Sequence, residues 1–305
     1  MNKNWFVIVN PTSGNGASKK KWPLIFNELK QQQFNFEFTI TTHKYHAETL
    51  VQNAINKGFK KFICVGGDGT LHAIVNGVLS LKTKNISEIK IGIIPIGTGN
   101  DWVKTYSISK DYKEAIKIIK AEHTKKQDIG KITLIPENKV FYFNNLAGIG
   151  FDGFVVNKVH KFKNLGSLAY LSGALVSLFS YKKPLLEITF NSTVLKSKTL
   201  LLFIGICEYC AGGMQLTKNP NPTDGLFDIS FVKNITLFQI IANIPGLFNG
   251  KIVENKIVEN YKSNQLEIKV LDKQDTYIQA DGELIGSGNF IVKLLPKALS
   301  FIVPN

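Results

Sequence analysis

The stretch Phe62-Ile63-Cys64-Val65-Gly66-Gly67-Asp68-Gly69-Thr70 decides how the first half of this 305-residue chain is expected to fold. Its apolar start predicts a short buried strand, and its glycine-rich bend leads into a segment with apolar residues at helical spacing, namely Leu71, Ile74, Val75, Val78 and Leu79. A strand that passes through a polar glycine turn into a helix is typical of a parallel sheet flanked by helices, where ligands bind at the carboxyl ends of the strands.

Two other turns of the first half repeat this arrangement. The predicted strand Trp5–Val9 runs into Asn10-Pro11-Thr12-Ser13-Gly14, and the predicted strand Ile89–Pro95 runs into Gly97-Thr98-Gly99-Asn100-Asp101. We therefore expect the main-chain N–H groups of all three turns to gather at one sheet edge and to bind an anionic ligand. None of the turns matches the P-loop or the dinucleotide fingerprint.

The pattern of the chain changes after about residue 130. Before it, strands and helices alternate, with a further predicted strand at Phe34–Thr41; after it, short β-rich runs dominate. We predict an α/β N-terminal domain over residues 1–130, a parallel sheet flanked by helices, to which residues 296–305 are free to return. Residues 131–295 are predicted to form a mostly antiparallel β-sandwich domain, interrupted by helical stretches at Ser167–Ser180 and Leu237–Phe248.

The amino-acid composition excludes some classes of protein. Hydrophobic residues make up 44% and charged residues 20%, which excludes a disordered chain. No apolar run approaches the ~20 residues of a membrane span, and the N-terminus leads into a strand without a signal-like segment, so we expect a cytoplasmic location. Cys64, Cys207 and Cys210 form neither a disulfide framework nor a zinc cluster with the histidines.

The basic residues of this chain are all of one type. The net charge is +14, and all 37 basic residues are lysines, so the chain has no guanidinium to grip a phosphate. Phosphate must then be held by main-chain N–H groups, by lysine or by a metal ion. The lysines fit either a solubilising surface or contact with an anionic membrane, whereas no nucleic-acid-binding motif accompanies them.

The three turns together resemble the diacylglycerol kinase catalytic-domain family, in particular the soluble bacterial lipid kinases related to diacylglycerol and sphingosine kinases. The G-G-D-G-T element is shared with NAD kinases, but the N-P-x-S-G and G-T-G-N-D turns favour the lipid kinases. The second half adds four elements of the resemblance: Asn145–Asp152 (NLAGIGFD), Ala211–Met214 (AGGM), Asp224-Gly225 and Asp281-Gly282-Glu283. Relatives commonly continue G-G-D-G-T-L-N-E, where this chain has Leu71-His72-Ala73.

The resemblance implies roles for individual residues. The ATP-binding residues it implies are Asn10, Pro11, Thr12, Ser13, Gly14, Thr41, Gly66, Gly67, Asp68, Gly69, Thr70, Gly97, Thr98, Asn100 and Asp101. The catalytic residues it implies are Glu283 as proton acceptor, Asp281 beside it, Asp128 in support and Asp68. A structural magnesium ion is implied at Asp224, with the main-chain oxygens of Asn221 and Leu226.

The residues alone leave several of these roles open. Asp68 suits Mg²⁺ coordination beside a nucleotide, with a buried structural aspartate as the alternative. A carboxylate of the D-G-E turn suits acceptance of a hydroxyl proton, although a solvent-facing turn is the simpler interpretation. The apolar stretches Leu168–Phe179 and Ile240–Phe248 fit either core packing or a lipid-accepting cleft.

The resemblance and the residues together predict an ATP- and Mg²⁺-dependent lipid kinase. The expected acceptor is a membrane lipid, diacylglycerol, which would become phosphatidic acid, and the protein is expected to contact an anionic membrane surface peripherally. An NAD kinase or other small-polyol kinase is the enzymatic alternative, and a catalytically silent lipid-binding or regulatory module is the alternative outside catalysis. Oligomerisation is left open.

Overall fold

A computed structural model describes residues 5–81, 86–135, 137–159, 178, 180–233, 235–272, 274 and 276–305. The chain divides into two compact units: unit 1 comprises Met1–Asp128 with Pro296–Asn305, and unit 2 comprises Ile129–Leu295. The helix predicted at Ser167–Ser180 falls almost entirely outside the described residues.

Unit 1 alternates strands and helices along the chain. Its strands are β1 (Trp5–Val9), β2 (Phe36–Ile40), β3 (Lys61–Gly66), β4 (Lys90–Pro95) and the end of the last strand of the chain, β15 (Phe290–Ile302). Its helices are α1 (Ala17–Gln31), α2 (His46–Asn56), α3 (Asp68–Ser80), α4 (Asp101–Thr105) and α5 (Tyr112–Ala121), with a 3₁₀ turn at Ile86–Glu88.

The strands of unit 1 form a parallel sheet in the order β2-β1-β3-β4-β15. Residues of β1, β3 and β4 are buried almost throughout, because helices cover both faces of such a sheet. Val7, Val65 and Ile94 pack with Ile25 of α1 and Ile116 of α5 in its core. The predicted α/β class of this part is confirmed, and the three glycine turns all leave the carboxyl ends of these strands.

Unit 2 is mostly β-structure. Its strands are β5 (Thr124–Leu134, beginning in unit 1), β6 (Val140–Phe143), β7 (Leu146–Gly150), β8 (Leu185–Phe190), β9 (Thr193–Gly205), β10 (Phe227–Lys233), β11 (Val258–Ser263), β12 (Gln265–Val270), β13 (Tyr277–Ala280), β14 (Glu283–Ser287) and the start of β15. Its described helices include α6 (Phe151–Val159) and α7 (Leu237–Asn243), with 3₁₀ turns at Ile244–Leu247 and Lys251–Glu254.

Most strands of unit 2 pair antiparallel in two rows, and β6 pairs antiparallel with β5, which also pairs with β15. One row runs β14-β13-β7-β9-β10-β11, and the other runs β9-β8-β12-β15. The long strand β9 takes part in both rows, with its first half against β8 and its second half against β7 and β10. The predicted antiparallel β-rich class is confirmed.

Several elements escape the sequence patterns. β7 reads Leu-Ala-Gly-Ile-Gly, and its two glycines hide the strand pattern. α6 contains Gly153 and two adjacent valines, a composition that favours a strand. The predicted helix Leu237–Phe248 is shorter than expected, because α7 ends at Asn243 and a 3₁₀ turn containing Pro245 follows.

Among the described residues, no helix combines the length and the apolar character that crossing a membrane requires.

Candidate active site

The first and second glycine turns of unit 1 meet at Thr70. The Asn10 side-chain amide donates to the Thr70 hydroxyl at 2.9 Å, and the Ser13 hydroxyl lies 3.4 Å from the same oxygen. Asn10 also accepts from the main chain and the hydroxyl of Thr12 at 3.1 and 2.8 Å. The first turn is thereby held in shape beside the start of α3, with Thr12 exposed.

The second and third turns approach each other through glycine. A Cβ at Gly67 would lie 3.0 Å from the Cα of Gly97, so two main chains run side by side with no room for a side chain between them. The Asn100 amide donates to the Gly97 carbonyl at 3.0 Å and closes the third turn. Thr98, at the tip of this turn, is exposed. A side chain at Gly67 or Gly97 would therefore force the two turns apart.

Asp68 joins the second turn to the third. Its two carboxylate oxygens accept the main-chain N–H groups of Asp101 and Trp102, each at 3.1 Å. These are the first N–H groups of α4, so the start of that helix faces the Asp68 carboxylate rather than an external anion. Two N–H groups of the third turn thus have an internal acceptor, and the binding of an anion at this turn stays a prediction. The structure gives Asp68 a structural role, and its Mg²⁺ contact stays a prediction.

Thr41 and Asp128, two other predicted site residues of unit 1, each form a hydrogen bond with the main chain of another segment. Thr41 follows β2 at the same sheet edge, and its N–H donates to the Val9 carbonyl at 2.8 Å. Asp128 is buried in β5, where its carboxylate accepts the Lys297 main-chain N–H at 2.6 Å. Asp128 therefore holds the segment of unit 1 that leaves for unit 2 to the segment that returns from it.

His72 and Ala73, where this chain differs from the G-G-D-G-T-L-N-E pattern, lie inside α3. Both residues are buried, and the Asn76 amide donates to the His72 carbonyl at 2.9 Å. The position that relatives fill with an acid is thus occupied here by a small apolar side chain in a packed helix.

The D-G-E motif forms the tight hairpin between β13 and β14 in unit 2. Asp281 and Gly282 have φ angles of 50° and 80°, and the strands pair directly on either side of them, as in a type I′ turn. The Asp281 carboxylate accepts three main-chain N–H groups, those of Asn144, Asn145 and Leu146, at 3.0, 2.9 and 3.1 Å. Asp281 thus fixes the hairpin on the bend between β6 and β7.

Glu283 is the first residue of β14 and is partly buried. Because Asp281 lies outside the strand, the two carboxylates do not share one face of a regular strand. Asp281 has its oxygens on the main chain, whereas Glu283 extends from a hairpin whose geometry Asp281 fixes. The action of Glu283 on a substrate stays a prediction.

The predicted metal residues Asn221, Asp224 and Leu226 lie in one turn. Asp224 accepts the Leu226 N–H at 3.0 Å, and its other oxygen lies 3.2 Å from the ammonium of Lys262. The same ammonium is 3.2 Å from Asp228, whose carboxyl pKa is raised by burial to about 6, an effect that Lys262 opposes.

Lysine therefore supplies the positive charge at this turn, and the contacts do not fit a divalent ion as they stand. Within the described ranges, no group of three or more His, Cys, Asp and Glu side chains is placed to hold a metal.

Comparison with known proteins decides the family. Residues 4–132 match the model of the diacylglycerol kinase catalytic domain, and residues 145–303 match that of the YegS C-terminal NAD kinase beta sandwich-like domain. The chain belongs to the diacylglycerol kinase family. It is a phosphotransferase of the lipid-kinase class, and its kinase domain implies ATP as the phosphoryl donor.

The relatives agree over nearly the whole chain. A diacylglycerol kinase of Staphylococcus aureus strain RF122 is 27% identical over 308 residues, covering 100% of this chain and 94% of its own. A diacylglycerol kinase of Bacillus subtilis is 26% identical over 289 residues, covering 93% and 92%. A crystal structure of a diacylglycerol kinase from Bacillus anthracis superposes with a TM-score of 0.74 at 22% identity, covering 99% and 97%, which supports the fold.

Gln279, which contacts the D-G-E turn, and Asp152, which contacts Gln279, were not among the predicted site residues. Gln279 accepts the Gly282 N–H at 2.9 Å, and its amide donates to Asp152 at 3.1 Å. Asp152 closes the NLAGIGFD segment quoted above, so its presence in that motif was the available signal. Gln279 carried none, because a polar residue in a short strand is ordinary.

Proposed function

We propose that this protein transfers the γ-phosphoryl group of Mg²⁺-bound ATP to the free hydroxyl of diacylglycerol, giving phosphatidic acid and ADP. The observation that supports the proposal is the D-G-E hairpin, in which three main-chain N–H groups hold the Asp281 carboxylate. We assign the proton acceptor to Glu283, the other acid of the same motif. The family membership and the names of the relatives support the lipid acceptor.

The nucleotide is proposed to bind at the edge of unit 1 formed by the three glycine turns. Since the chain has no arginine, the phosphates would be held by main-chain N–H groups and lysines, and the Mg²⁺ that accompanies ATP as co-substrate would offset their charge. Thr12 and Thr98 are exposed at the turns and are proposed to contact the nucleotide.

The proposed chemical step uses Glu283 of the hairpin as the proton acceptor. The acceptor oxygen forms a bond to the γ-phosphorus, the bond between that phosphorus and the β,γ-bridging oxygen breaks, and ADP leaves. The hydroxyl proton passes to the Glu283 carboxylate. A positioned carboxylate in this role contributes roughly 10²- to 10⁴-fold to the rate.

We propose further that unit 2 contacts the membrane that holds the acceptor. The segment Ile235–Gly250 contains no charged residue, and it carries Phe238 and Phe248, which are 81% and 49% exposed. Exposed Lys251 follows it, and the Lys183 ammonium donates to the Ile235 carbonyl at its start. Exposed aromatic side chains flanked by lysine fit the interface of an anionic bilayer.

The test of catalysis compares the wild type with Glu283→Gln. We expect diacylglycerol phosphorylation that depends on Mg²⁺, and a loss of about 100-fold or more in kcat for the variant, because glutamine cannot accept the proton. Binding of ATP and the free energy of unfolding should be unchanged. Glu267→Gln, a change at a partly exposed residue of β12 in the same unit, is the matched control. Turnover of Glu283→Gln at the wild-type rate would remove Glu283 from the mechanism.

A further inference from the structure

The D-G-E hairpin is held from two sides. On one side Asp281 accepts the three N–H groups of the β6–β7 bend. On the other side the Gly282 N–H donates to the side-chain oxygen of Gln279 at 2.9 Å. Gly282 has φ of 80°, a conformation that glycine adopts readily and other residues rarely do, and in this conformation its N–H reaches Gln279.

Gln279 is in turn oriented by Asp152. Its amide nitrogen donates to the Asp152 carboxylate at 3.1 Å, and Gln279 itself is buried. A carboxylate only accepts hydrogen bonds, so Asp152 requires the nitrogen of the Gln279 amide to face it. The oxygen of the amide is then directed toward Gly282. An unaided glutamine could adopt either orientation.

The neighbouring strand leaves room for this carboxylate. Gly148 of β7 pairs with Gln279 of β13, and a Cβ at Gly148 would overlap the Asp152 carboxylate. The carboxylate therefore lies directly over the main chain of β7, beside the strand that carries Gln279. Burial raises the pKa of Asp152 to about 6, and the hydrogen bond from Gln279 opposes that rise. The site keeps a desolvated acid at an energetic cost, which an apolar side chain would avoid.

We propose that Asp152, acting through Gln279, is a positioning residue for the Asp281-Gly282 turn and hence for Glu283. The proposal rests on the proposed function in that Glu283 is taken as the proton acceptor. Asp152 is not assigned a contact with the substrate. Its effect runs from its carboxylate to the Gln279 amide, from that amide to the Gly282 N–H, and from Gly282 to the first residue of β14.

The kinetic test uses Asp152→Ala, Gln279→Ala and the double variant. Each single change is expected to lower kcat at least tenfold, because small misplacements of a reacting group are costly, while KM for ATP stays unchanged. Since both residues act through one contact chain, the double variant should lose no more than the worse single variant. Asp152→Asn keeps an acceptor for the Gln279 amide and should recover most of the lost kcat. Gln265→Ala, exposed on β12, is the control.

A second readout is independent of turnover. Hydrogen exchange of the peptide spanning residues 279–284 should quicken in Asp152→Ala and Gln279→Ala, and return toward the wild-type rate in Asp152→Asn. Exchange in β10 should not change in any variant. If the wild type phosphorylated no lipid, the proposed function would fail while this exchange measurement still decided the positioning role.

Three results would overturn the positioning role. Additive losses in the double variant would show that the two residues act separately. Unchanged exchange at residues 279–284 would show that the turn does not depend on them. A raised KM for the lipid with kcat intact, in Asp152→Asn as in Asp152→Ala, would make Asp152 a substrate contact instead.

Discussion

Asp68 shows how one carboxylate can determine the shape of a sheet edge. Its oxygens accept the N–H groups of Asp101 and Trp102, and so fix the third glycine turn against the second. A carboxylate at the start of a helix also offsets the partial positive charge of its terminal N–H groups. Because an asparagine has one accepting oxygen in place of two, the substitution Asp68→Asn must leave one of these N–H groups without its acceptor.

We predict that Asp68→Asn raises KM for Mg²⁺-ATP and lowers the free energy of unfolding by about 1–3 kcal/mol, the usual cost of a buried donor left unsatisfied. Steady-state kinetics at varied ATP and urea unfolding measure the two effects. Glu37→Gln, exposed on β2, is the control. Unchanged KM and stability would show that the contacts of Asp68 do not support the nucleotide edge.

The raised pKa of Asp152 leads to a prediction about how the free energy of unfolding depends on pH. Its pKa is raised from 3.8 to about 6 by burial, so the folded state holds a proton between these values that the unfolded state has lost. Stability therefore falls as the pH rises through this window, and the full penalty is present above about pH 6. Asp152→Asn removes the ionisation and should be more stable than the wild type by about 2–3 kcal/mol at neutral pH. Urea unfolding at neutral pH and near pH 5 should show this gain shrinking as the pH falls; a gain independent of pH would contradict the assignment.

The turn between β9 and β10 bears on whether unit 2 holds a structural metal. Lys262 on β11 lies between Asp224 and Asp228, and the side chain of Asp228 is only 4% exposed. Removing the ammonium leaves that buried carboxylate without a cation.

We predict that Lys262→Met lowers the free energy of unfolding by about 1–3 kcal/mol, reduced from the value for a fully buried pair because Lys262 is partly exposed. Chelation with EDTA should leave the melting temperature of the wild type unchanged. Lys196→Met, on an exposed face of β9, is the control. A melting temperature lowered by EDTA would restore the magnesium ion predicted at Asn221, Asp224 and Leu226.

The proposed membrane contact of the segment Ile235–Gly250 leads to a prediction about vesicle binding. Phe238 is exposed, so its removal costs little folding stability but takes an aromatic side chain from the proposed interface. Phe238→Ser should weaken binding to phosphatidylserine vesicles by roughly tenfold, which corresponds to ~1.5 kcal/mol of lost apolar burial. Val194→Ser, which changes another exposed apolar residue of unit 2, should bind as the wild type does. Equal binding of Phe238→Ser and the wild type would exclude α7 from the interface.

Contacts between residues that are far apart in the chain cannot be predicted from local sequence patterns. The glycine turns could be predicted, because the strand before each turn and the helix after it are local patterns. The partners of Asp281 could not, since Asn144 precedes it by 137 residues and no local pattern links them. Asp152 and Gln279 are likewise 127 residues apart and meet only through the pairing of β7 with β13.

For the same reason, the contacts of Asp68 could not be predicted from the sequence. The sequence shows an acid in a glycine turn, and both a metal ligand and a buried structural residue fit that description. Only the position of α4 beside the turn shows which groups the carboxylate accepts from. The position of the three glycine turns at the sheet edge was thus predictable from the sequence, whereas the internal contacts that shape the turns were not.

Phosphate transfer from labelled ATP to a panel of lipids in mixed micelles tests the central claim most directly. The panel should hold diacylglycerol, ceramide, a sphingoid base, monoacylglycerol and phosphatidylglycerol, with NAD as a soluble acceptor and parallel reactions lacking Mg²⁺. We predict label on diacylglycerol that appears only with Mg²⁺. Label on another lipid would keep the class and correct the acceptor. Label on NAD alone, or no label with ATP still bound, would contradict the claim that this protein is a lipid kinase.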